Sequence, residues 1–112
     1  MAKDDYDVIV FRILGYLYKQ LKSGQPAEPE MLRHDSKTCN HINEEYWKYV
    51  VTNMQEAGLI QGLKKEEGQD EYDRIEEQLK NIRITPKGIG VLSDNPMIER
   101  VEKMIKGILN IG

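Results

Sequence analysis

The residues of this chain whose types could do chemistry at close spacing are few. His34, Asp35, Cys39 and His41 fall within one short polar stretch. Imidazole, thiolate and carboxylate are the usual zinc ligands, yet their spacing here matches no standard zinc pattern and a further ligand would have to be borrowed. A polar turn between two helices accounts for the same residues. Cys39 paired with a histidine as nucleophile would also need an orienting third group and an oxyanion hole, and the sequence marks neither. Gly88 and Gly90 alone do not make a dinucleotide fingerprint. The sequence therefore points to no catalytic residue, no metal and no cofactor, and to a chain that is not an enzyme.

A second group has the chemistry of nucleic-acid contacts. Around a helix whose apolar face is Trp47, Val50, Val51 and Met54, the outward positions are Lys48, Tyr49, Thr52, Asn53 and Glu56. Asparagine can pair with adenine through two hydrogen bonds, threonine can touch a thymine methyl, and lysine or tyrosine can reach a phosphate. Lys64, Lys65, Lys80 and Arg83 flank the segment 65–79 and could grip phosphates from its base. Charge pulls the other way. The helix carries Glu44, Glu45 and Glu56 against Lys48, and 64–80 carries seven carboxylates against four cations. A phosphate docks poorly at a helix start that holds two glutamates.

The elements that must position these residues can be read from periodicity and punctuation. Asp4, Asp5 and Asp7 open a first helix in which Tyr6, Ile9, Ile13, Tyr16, Leu17 and Leu21 recur at helical steps, while Val8, Phe11 and Tyr18 call for cover on a second side. Ser23-Gly24-Gln25-Pro26 closes it. Pro29 suits the first turn of a short second helix with Met31 and Leu32 inward. Asn43 caps a third helix that ends at Gly58. Leu59 to Lys64 and Lys80 to Thr85 read as two strands of a hairpin, with Lys65 to Leu79 between them as an extended wing that holds at most a helical turn at Ile75 and Leu79. Thr85-Pro86-Lys87-Gly88 breaks the second strand ahead of a short helix with Ile89, Val91 and Leu92. Pro96 then opens a last helix with the stripe Met97, Val101, Met104, Ile105 and Ile108.

This order, three helices, a strand, a wing, a strand and two more helices, is that of a winged helix-turn-helix. The fold class expected is mainly α with a small β-hairpin, in a single domain over 1–112 with a core of 1–95, a wing at 65–79 and a C-terminal helix at 96–112. The 112 residues suffice for one core, and 31% charged residues beside 39% hydrophobic ones describe an ordinary folded domain. A net charge of −3 lacks the basic excess of a protein that holds nucleic acid mainly through its phosphates. Val8 to Phe11 is far too short an apolar run for a membrane helix, and the acidic start is unlike a signal peptide. With a lone cysteine, Cys39, the cytoplasm is the compartment expected. The C-terminal third is locally basic, and its apolar stripe would cover Phe11 and Tyr18 either within the chain or across a two-fold homodimer.

Three segments together carry a resemblance: Lys3 to Leu14, then Ile42-Asn43-Glu44-Glu45-Tyr46-Trp47, then Ile84-Thr85-Pro86-Lys87-Gly88-Ile89. In that combination and order the chain resembles the YjcQ-like family of small bacterial and prophage proteins, over nearly its whole length. The resemblance implies a winged helix of bacterial or phage type and supplies no catalytic residues. Two functions follow as expectations. One is double-stranded DNA binding, as in a transcriptional regulator, with the third helix in the major groove. The other is a non-catalytic module that holds a protein partner by the acidic wing or the C-terminal helix.

Overall fold

In the computed structural model, which describes residues 2–94, the chain is mainly helical with one two-stranded antiparallel sheet. Helix α1 (Tyr6–Lys22) runs through the middle of the fold and contacts the third helix, the second strand and the last described helix. Eight of its apolar side chains from Val8 to Leu17 are buried, so the helix is covered on more than one side, as its second apolar edge predicts. It closes in a full Schellman motif. Gly24 takes φ +68, its N–H donates to the Leu21 carbonyl, and the Gln25 N–H donates to Gln20.

Helix α2 (Pro29–Leu32) is one turn long, with proline at its first position. Helix α3 (Glu44–Glu56) starts at Asn43, whose side chain accepts the Glu45 N–H, and ends in a second Schellman motif at Gly58, φ +77. Leu59 follows as the apolar residue that such a closure favours. Trp47, fully buried, donates its indole N–H to the Leu32 carbonyl at 2.8 Å and so ties α3 to α2.

The hairpin is shorter than the sequence suggests. Strands β1 (Ile60–Gln61) and β2 (Arg83–Ile84) pair Ile60 with Ile84 and Gln61 with Arg83. The residues expected to extend them do otherwise, for a specific reason. Gly62 turns the chain at φ +117, and the next peptide groups pair with side-chain amides instead of a strand. The Gln55 amide donates to the Leu63 carbonyl and accepts the Leu63 N–H, each at 2.8 Å. The Gln78 amide serves Lys64 in the same two ways. Residues Leu79–Asn81 form a 3-10 turn, so Lys80 and Asn81, expected to begin the second strand, do not join it.

The segment 65–79, expected as an extended wing, is largely helix α4 (Glu71–Gln78) packed against α3. Asp70 caps it by accepting the Tyr72 and Asp73 N–H groups. Ile75 and Leu79 are wholly buried, and Tyr72 lies 5.5 Å from the Trp47 ring. Helix α5 (Pro86–Asp94) begins at the Thr-Pro turn, with the Thr85 hydroxyl accepting the Gly88 N–H and donating back to the end of α3. The C-terminal helix expected at 96–112, and the dimer contact expected through it, lie outside the described residues. Among the described residues no helix is long and apolar enough to cross a membrane.

Candidate functional site

Residues 33–43 form a tight turn wrapped round one buried charge. Arg12, in the most apolar stretch of α1, donates from Nε to the Thr38 carbonyl at 2.7 Å and from Nη2 to the Lys37 carbonyl at 2.6 Å. No carboxylate bonds it there among the described residues, and burial lowers its pKa. Cys39 is fully buried. Its thiol donates to Leu32 at 3.6 Å, and burial pushes its pKa up to about 11. A thiol in that state is a packing residue with a hydrogen bond, not a nucleophile. His34 bonds the Ile42 carbonyl through Nδ1 and stacks edge-on to Trp47 and Tyr72. His41 is exposed, with left-handed backbone like Asn40 before it. Among the described residues no group of three or more His, Cys, Asp or Glu stands close enough to hold a metal ion. Sequence reasoning passed over Arg12; the signal available was an arginine inside the run from Val8 to Leu14.

On the outward side of α3, Lys48 places Nζ 2.8 Å from Glu45 Oε1. That hydrogen bond raises its pKa, and Glu71 and Asp70 add to the effect. Thr52 donates its hydroxyl to Glu71 at 3.2 Å, and Asn53 donates its amide to the Tyr49 carbonyl at 2.7 Å. Three of the four candidates on this helix are therefore engaged within the chain, two of them by carboxylates. The partners of Lys48 and Asn53 belong to α3 itself, and that of Thr52 to helix α4. Helix α4 lies beside α3 and brings Asp70 and Glu71 to the face.

Tyr49 remains, and it is 61% exposed, more than any other large hydrophobic residue described. Its ring meets that of Tyr6 edge-on at 6.0 Å. Tyr46 donates its hydroxyl to the Asp4 carbonyl at 2.6 Å. Tyr6 and Tyr46 have pKa values raised first by partial burial and further by aspartates of the N-terminal segment, Asp7 for Tyr6 and Asp4, Asp5 and Asp7 for Tyr46. The start of α1 and the outer side of α3 thus form one surface of tyrosines rimmed by carboxylates.

The match to the model for the YjcQ protein family spans residues 11–111. The chain belongs to the YjcQ family. Comparison with curated proteins and with solved structures found no match. In this YjcQ chain the remaining candidates, Lys64, Lys65, Lys80 and Arg83, are all exposed, and none makes an ion pair among the described residues. Lys80 and Arg83 share the wall of a groove of about 370 Å³ between β2 and the loop joining α1 to α2, whereas Lys64 and Lys65 do not line it. Lys48, the one cation of helix α3, sits among carboxylates, while Lys80 and Arg83 line the groove.

Proposed function

We propose that this chain is a non-catalytic binding module on a winged-helix scaffold whose wing is replaced by helix α4, and that it holds a basic protein segment on the acidic tyrosine face of α1, α3 and α4. The observation that carries this reading is Tyr49, left exposed on α3 beside Tyr6 while its polar neighbours are tied to Glu45, Glu71 and the helix backbone. Exposed tyrosines are frequent anchors of protein interfaces. Aromatic rings rimmed by carboxylates suit arginine or lysine, which gains both a cation–π contact and charge complementarity. The same face suits a DNA backbone poorly, because Glu44, Glu45, Glu71 and Asp70 would meet phosphates.

The test is titration of the full chain with a synthetic arginine-rich peptide and, separately, with mixed-sequence duplex DNA, each across a salt series. The peptide is expected to bind and DNA is not. Tyr49→Ala should weaken the peptide by about tenfold, the loss of one interface anchor worth roughly 1.4 kcal/mol, with thermal stability unchanged. Tight DNA binding that collapses in a variant combining Lys48→Glu, Lys64→Glu and Arg83→Glu would instead establish the regulator reading.

A further inference from the structure

Strand β2 has a second edge. The Thr85 N–H donates to the Leu59 carbonyl across the hairpin at 3.1 Å, and antiparallel pairing alternates inward and outward groups. The peptide groups of Arg83 therefore face β1, and those of Ile84, with the Ile82 carbonyl, point to the opposite side. There they find no backbone or side-chain partner among the described residues. The Ile82 N–H turns back to Leu79 at 3.1 Å.

That edge opens into the groove of about 370 Å³, whose far wall is the loop at Gly24–Ala27. Among the described residues the loop makes no backbone hydrogen bond to β2, and its Pro26 carbonyl accepts from the Gln20 amide at 2.8 Å. Leu17, Leu21 and Ala27 give the groove apolar surface, and its only charged lining residues among those described are Lys80 and Arg83, both exposed. The volume falls in the range of ligand clefts. An unpaired strand edge is a template for another extended segment.

We propose that this groove takes an extended, acidic segment of a partner protein, added as a strand along β2, with its backbone on Ile82 and Ile84 and its carboxylates on Lys80 and Arg83. Two-fold pairing of β2 with a second copy is disfavoured, since it would bring the Lys80 and Arg83 pairs of both copies together. The groove is separate from the acidic tyrosine face and of opposite charge, so it selects a different partner.

Amide-resolved NMR of the full chain tests the proposal with three probes: an octapeptide alternating valine and glutamate, the same peptide N-methylated at every valine, and an octapeptide alternating valine and lysine. The first is expected to shift the resonances of residues 24–27 and 82–84 and to slow exchange of the Ile84 amide at least tenfold. The N-methylated and lysine peptides should bind more weakly. Lys80→Glu with Arg83→Glu, both exposed and outside the core, should weaken the first peptide by roughly three- to tenfold, as two surface ion pairs allow. An Ile84 amide already protected as strongly as core amides in the free chain would overturn the proposal, since the edge would then be filled. So would shifts at 82–84 produced by duplex DNA and not by the glutamate peptide, or no shift there at millimolar peptide.

Discussion

Replacing Gly88 by alanine should destabilise the fold, although alanine is the better helix former. Helix α5 crosses the hairpin so closely that a β-carbon at Gly88 would lie 2.4 Å from the Leu59 carbonyl oxygen, 2.8 Å from Ile84 Cγ1 and 3.3 Å from Leu14 Cδ2. The first neighbour is backbone. It is held by the Thr85 N–H at 3.1 Å, so it can retreat only by loosening the turn that starts α5. Overpacking of this kind costs up to about 3 kcal/mol, and alanine returns about 1 kcal/mol of helix propensity. The net loss is about 2 kcal/mol, or roughly 10 °C in Tm for a domain of this size. Gly90 is the internal control, because a β-carbon there meets nothing within 4 Å among the described residues. Gly90→Ala should hold or raise Tm by scanning calorimetry while Gly88→Ala lowers it. Equal shifts of the same sign in both variants would refute the close approach of α5 to the hairpin.

Arg12→Met keeps the apolar stem of the side chain but strands the Thr38 and Lys37 carbonyls, and should cost about 2–4 kcal/mol in urea unfolding. Gln78→Ala removes the amide that pairs with Lys64 and should cost about 1–3 kcal/mol, with new protease cleavage between residues 64 and 70 as the diagnostic readout. Cys39 has a pKa near 11 in the fold against 9.0 for the free thiol. The unfolded state therefore gives up its proton first, and stability should fall as pH rises from about 9 towards 11. Cys39→Ala should blunt that alkaline loss, and iodoacetamide should label Cys39 only as fast as the chain unfolds.

Where local chemistry decides an element, the sequence announces it. Gly24 and Gly58 close α1 and α3 because each supplies the left-handed residue a Schellman motif needs, and Asn43 and Pro29 mark helix starts by capping and by a fixed φ. The hairpin is where the sequence puts it, but its strands are shorter and the segment between them is helical, because the partners that decide this lie on other elements. Leu63 and Lys64 look like strand, yet Gln55 and Gln78 capture their peptide groups from two different helices. Helix α4 shows just Ile75 and Leu79 at helical spacing within a run of carboxylates. Its burial rests on those two side chains together with Tyr72 against Trp47 and an uncharged glutamine, Gln78, turned inward. The candidate face was legible as a list of outward residues on α3. Lys48 with Glu45 and Asn53 with the Tyr49 carbonyl are pairs within α3, but the Thr52 bond and the further carboxylates around Lys48 depend on α4 arriving with Asp70 and Glu71, which spacing along one helix does not reveal.

The most direct test of the central claim, that carboxylates on the α3–α4 face set its choice of partner, is a paired affinity measurement on Glu45→Gln with Glu71→Gln. Both residues are exposed, and the substitutions keep their size. Binding of the arginine-rich peptide should fall by roughly three- to tenfold and any DNA affinity at low salt should rise, because Lys48 is released and two negative charges are gone. Peptide binding unchanged by the double substitution, or DNA binding that is strong in the parent chain and weakened in the variant, would contradict the account.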